Sequence, residues 1–74
     1  MEDYVIVVNR IEELQTINDR QELELIFDRA KRTIIGGQEV ILVRRNSDGQ
    51  EYRFETYSNE KDFEEYRKQV FRFL

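Results

Sequence analysis

Leu23, Ile26, Phe27, Ala30 and Ile34 recur at the spacing i, i+3, i+4, i+7, i+11, which places all five on one face of an α-helix. No other pattern constrains the fold as strongly, because this segment also carries stop signals at both ends. Asp19 can accept from free backbone N–H groups, with Glu22 three residues on, and Gly36-Gly37 supplies a left-handed stop. Glu22 and Glu24 lie early while Arg29, Lys31 and Arg32 lie late, as the helix dipole favours. Such a helix must bury its apolar face, and the flanking sequence predicts against what.

Tyr4-Val5-Ile6-Val7-Val8 is a continuous apolar, β-branched run, too short for an ordinary helix and typical of a strand covered on both faces. Gln38 to Arg45 predicts a second strand around Val40-Ile41-Leu42-Val43. Between the first strand and the main helix, Asn9 and Glu12 have the spacing of a helix cap. They admit a short helix from Arg10 to about Ile17, against the poor helix propensity of Thr16 and Ile17. Asn46-Ser47-Asp48-Gly49 predicts a hairpin built on a type I turn, with glycine left-handed at a bulge. Glu51 to Tyr57 is the return strand. Ser58 or Asn59 then caps a last helix from about Glu60 to Phe73, striped by Phe63, Tyr66, Val70, Phe73 and Leu74. Leu25 and Phe71 fall off their helices' stripes.

The expected fold is a single α+β domain over residues 1–74. Its order is β-α-β-β-α, or β-α-α-β-β-α with the short helix included. A right-handed first crossover puts the two main helices mostly on one face of a three-stranded sheet.

The hairpin decides which side chains share a face. With Ser47-Asp48-Gly49 as a three-residue loop, Arg45 lies opposite Glu51, Arg44 opposite Tyr52, Val43 opposite Arg53, Leu42 opposite Phe54 and Val40 opposite Thr56. Val40, Leu42, Tyr52 and Phe54 then meet the helices. Ile41, Val43, Arg45, Glu51, Arg53, Glu55 and Tyr57 take the other face. The Arg45–Glu51 pair favours this register.

Chemistry is more restricted than the fold. The chain has no cysteine and no histidine, so disulfides, thiolate ligands and the usual neutral-pH base are missing from its repertoire. Carboxylate pairs such as Glu12-Glu13 and Glu64-Glu65 sit at helix starts and polar faces, where solubility and the dipole explain them. Asn46 to Glu51 lacks the twelve-residue spacing of a calcium loop, Gly36-Gly37 precedes a strand and is no phosphate loop, and Ser47 and Ser58 have no base to activate them. The expectation is no enzyme, no cofactor, no metal and no small-molecule ligand.

Twelve basic against sixteen acidic residues give a net charge of −4, ordinary for a soluble domain and unfavourable for a general nucleic-acid or anionic-membrane binder. No apolar run approaches the roughly 18 residues of a membrane span, and the acidic start is unlike a signal peptide, so the expected setting is cytoplasmic.

What remains is surface. If neither the last helix nor the 10–17 segment covers the second sheet face, Ile41, Val43 and Tyr57 form an apolar interface there. The leading expectation is therefore a non-catalytic interaction or regulatory module, with a protein partner or a second copy as its homodimer mate. The alternative is weak RNA or DNA binding through Arg44, Arg45 and Arg53, with Tyr52 and Tyr57 nearby. The order β-α-α-β-β-α is similar to that of one class of KH domains, a likeness of element order only. Their backbone clamp needs a GxxG loop between the first two helices, and here that position reads Thr16-Ile17-Asn18-Asp19.

Overall fold

Residues 2–74 are described by the computed structural model. Six elements run in the order β1 (Tyr4–Val7), α1 (Val8–Thr16), α2 (Arg20–Ile35), β2 (Val40–Arg45), β3 (Glu51–Tyr57) and α3 (Glu60–Phe71). The α+β expectation holds, in the version with the extra helix. The sheet is mixed, in order β1-β2-β3: β1 runs parallel to the central β2, and β3 antiparallel to it.

α1 begins two residues earlier than the cap pattern predicts, directly from the strand. Val7 is the residue before its first turn and provides no side-chain cap, so Asn9 is not the cap. Val8, Ile11 and Leu14 are buried, and burying this face stabilises a nine-residue helix of indifferent propensity. The joint to α2 is compact. Asn18 adopts φ 55, the amide of Asn18 donates to the Gln15 carbonyl, and that of Asp19 donates to the Leu14 carbonyl. This is a Schellman closure with asparagine as the left-handed residue. Asp19 then caps α2 by accepting from the Glu22 amide at 3.1 Å. At the far end, Gly37 (φ 88) donates to the Ile34 carbonyl and Gln38 to that of Thr33, which is the predicted stop.

All three helices pack on one sheet face. The core there joins Ile6, Val40 and Leu42 of the sheet to Val8, Ile11 and Leu14 of α1, Leu23, Phe27, Ala30 and Ile34 of α2, and Phe63 and Val70 of α3. The ring centroid of Phe27 lies 5.4 Å from that of Phe63, 5.7 Å from Tyr66 and 5.6 Å from Phe71. Phe71 is therefore a contact residue, half-buried against the core and flanked by the guanidinium groups of Arg20 and Arg67. Phe73, assigned to the stripe from sequence, is 76% exposed, because α3 ends at Phe71 and the helical spacing no longer applies.

The hairpin keeps the expected register only at its tip. Asn46 pairs with Gln50, Gly49 has φ 88, and Arg45, Arg44 and Val43 face Glu51, Tyr52 and Arg53. Between Val43 and Leu42 the register shifts: Leu42 faces Glu55, Ile41 faces Thr56 and Val40 faces Tyr57. Phe54 is the extra residue of a second bulge. One inserted residue moves everything beyond it to the other face. Tyr57 thus sits on the helix side, 5.5 Å from Phe63 and stacked on Tyr66 at 5.9 Å. Phe54, expected beneath the helices, is 54% exposed.

Two measurements test this packing. Phe27→Ala should cost about 3–5 kcal/mol, comparable with the whole stability of a small domain, and a urea melt should show little folded protein. Burial, with smaller contributions from Tyr57 and Glu12, pushes the Tyr66 hydroxyl up to about 12. A tyrosine that holds its proton more tightly when folded contributes stability that is whole below its unfolded pKa and lost as pH rises through the folded one. The denaturation midpoint should fall between about pH 10 and 12, and Tyr66→Phe should flatten part of that decline.

Candidate protein-interaction surface

On the face away from the helices, the pairing sets side chains in rows. Val5, Ile41 and Thr56 form one row across the sheet, and Val7, Val43 and Arg53 the next. The alternation of side chains along each strand makes this assignment unambiguous, since Ile6, Val40 and Leu42 occupy the opposite side. Four of the six residues are apolar, and no helix joins them: Ile41 and Val43 are absent from the buried cluster that all three helices share.

Their exposure qualifies the sequence expectation. Ile41 is only 8% and Val43 only 7% exposed, both on the central strand with a neighbour on each side. Val5, at the edge, is 48% exposed. The apolar surface presented is therefore a strip weighted toward β1. Tyr57, the third residue expected here, is on the other face for the reason given above. Sequence reasoning missed Val5 and Val7 as members of the strip by name. The signal was present in the first strand's lack of alternation.

The far end of the strip is polar and tied down. Arg45 and Glu51 pair across the strands through two guanidinium hydrogen bonds. Beyond Val7, where β1 stops, the next position in register with Arg45 is Asn9. Its side-chain amide takes the place of a strand backbone, donating to the Arg45 carbonyl at 2.8 Å and accepting from the Arg45 amide at 2.9 Å. The chain can thus turn into α1 without a loop while β2 keeps its last pair of bonds.

The three arginines of the nucleic-acid alternative do not converge. Arg44 lies on the helix side and holds Glu12 of α1 through two bonds of 3.0 Å, which keep the Glu12 carboxyl below its ordinary range. Arg45 is matched by Glu51. Arg53 is on the open face and forms no ion pair among the described residues. Of the aromatic partners, Tyr57 is packed into the core cluster, while Tyr52 is exposed with its hydroxyl donating to the Gln50 side chain at 2.7 Å. At the α1–α2 joint, Asp19 already occupies the N-terminus of α2 where a phosphate would bind.

A groove of about 600 Å³ runs between α2 and α3, lined by Glu24, Leu25, Asp28, Lys31, Glu64 and Arg67 over Phe27 and Phe63. Its walls carry both charge signs. Among the described residues, no group of three or more acidic side chains is placed to hold a metal ion, and no helix is long and apolar enough to cross a membrane. Compared with protein-family models, curated proteins and solved structures, the chain has no match.

Asn9→Ala removes both bonds to Arg45. It should cost about 1 kcal/mol in a denaturant titration and speed hydrogen exchange at the Arg45 amide, while the exchange of Val43 and of the β2–β3 ladder changes little.

Proposed function

We propose that this chain is a non-catalytic protein-interaction module whose partner, a second copy or another protein, docks on the open face of the sheet. The observation that carries this reading is the two-sided apolar character of β1 and β2. Val5, Val7, Ile41 and Val43 lie together on a face that no helix covers, while Ile6, Val40 and Leu42 on the other face fill the core. Parallel strand pairs with continuous apolar runs belong to sheets covered on both faces, and this chain supplies cover for one. Thr56 and Arg53 border the strip on the β3 side, and Arg53, which forms no ion pair among the described residues, can meet a carboxylate. The non-catalytic part is supported by the residues themselves, since a chain without histidine or cysteine lacks the usual neutral-pH base and the thiol nucleophile.

Two adjacent residues on opposite faces make the test. Ile41→Asp sets a carboxylate on the face without helices, one side-chain layer from water, in place of a side chain that is 8% exposed. The domain should stay folded by circular dichroism, at reduced stability, while partner capture from an extract of the host cell is lost. Leu42→Asp buries an unpaired charge beneath the helices and should unfold the chain. Partners retained equally by wild type and by folded Ile41→Asp would remove the open face as the docking site.

A further inference from the structure

The sheet has two edges, and they are built differently. β3 carries Glu51, Arg53 and Glu55 and is bent by the extra residue Phe54. Charges and bulges are the devices by which natural sheets prevent edge pairing. β1, at the other edge, reads Tyr4-Val5-Ile6-Val7, with no charge, no proline and no bulge. Its backbone is available as well. The Tyr4 amide donates inward to the Glu39 carbonyl at 3.0 Å, and successive residues of a strand point their amide groups to alternate sides. The amide and carbonyl of Val5, and the amide of Val7, therefore project outward from the sheet, and Val5 is 48% exposed.

We propose that β1 pairs antiparallel with β1 of a second copy of this chain, giving a six-stranded sheet across a two-fold axis. Unsatisfied strand groups are met best by another strand, and β1 is self-compatible. With Val5 opposite Val5 of the second copy, the two residues exchange both N–H···O=C bonds, and Tyr4 falls opposite Ile6. Asp3, the nearest charged residue, falls opposite Val7, so the two Asp3 carboxylates lie at opposite ends of the junction and no like charges meet. Antiparallel pairing is the arrangement that a two-fold axis generates. The helices stay on one side, and the Val5 and Val7 side chains of both copies become neighbours in the middle of a doubled open face. The inference stands on backbone groups at the strand edge and does not depend on the open face being a docking site.

A four-residue junction is small, so association belongs in a concentration range of about 10 µM to about 1 mM. Sedimentation equilibrium across that range should show the wild-type mass rising toward twice the monomer, with exchange of the Val5 amide slowing in step. Val5→Pro deletes an amide that faces away from β2, so the β1–β2 ladder is kept, and this variant should remain monomeric at every concentration. Ile41→Asp should still dimerise. A wild-type chain that stays monomeric with a freely exchanging Val5 amide would overturn the proposal. So would a folded Val5→Pro chain that dimerises, and if Ile41→Asp alone abolished the dimer, the contact would be the open face instead. Should Val5→Pro fail to fold, the concentration dependence of Val5 exchange in the wild type decides the matter by itself.

Discussion

The ring of Phe27 is the contact on which the helix layer depends. α3 is reached only through the hairpin, and it is held to the rest of the domain by rings of its own, Phe63, Tyr66 and Phe71, closing on Phe27 from three directions. Tyr57 extends the cluster onto the sheet. Without it, the helix face of β2 and β3 would lie partly open, in a chain with no cysteine to form a disulfide in compensation. Aromatic pairs add a modest increment beyond their buried area. Here their greater effect is geometric, since they set the position of α3 over the sheet.

Short polar joints do the remaining work of placement. Asn18 and Asp19 end one helix and begin the next within two residues, one by its left-handed backbone and the other by its side chain. Asn9 stands in for a strand residue so that α1 can leave β1 at once. Glu12, one turn further along α1, reaches Arg44 on β2. Together these contacts hold α1 over β2, and that leaves the opposite face and the outer edge of β1 without cover. The uncovered face and edge are therefore a consequence of how the helices are anchored.

Much of this was legible in the residues. The helix over 20–35 has a periodic face, an acidic cap and a glycine stop, all local signals that agree with one another. The hairpin tip is equally local, because Asn46-Ser47-Asp48-Gly49 specifies its own turn. Ile41 and Val43 were placed correctly on the face opposite Leu42, since strand alternation needs no tertiary information. Asn9 is the instructive failure. Its spacing to Glu12 reads as a cap, yet a longer-range bond to Arg45 claims the side chain.

The amino-acid sequence by itself determined the elements, their order and the absence of histidine and cysteine side chains, because propensity, periodicity, turns and residue type act over a few neighbours. Tertiary structure alone decided the bulge at Phe54, and with it the movement of Tyr57 from the open face into the aromatic core. It also decided that Phe71 packs and Phe73 does not, and that Ile41 and Val43 are almost fully buried on the face without helices. Each of these outcomes depends on side chains far apart in the chain competing for the same space. Such competition is resolved only when helices, strands and turns are assembled together.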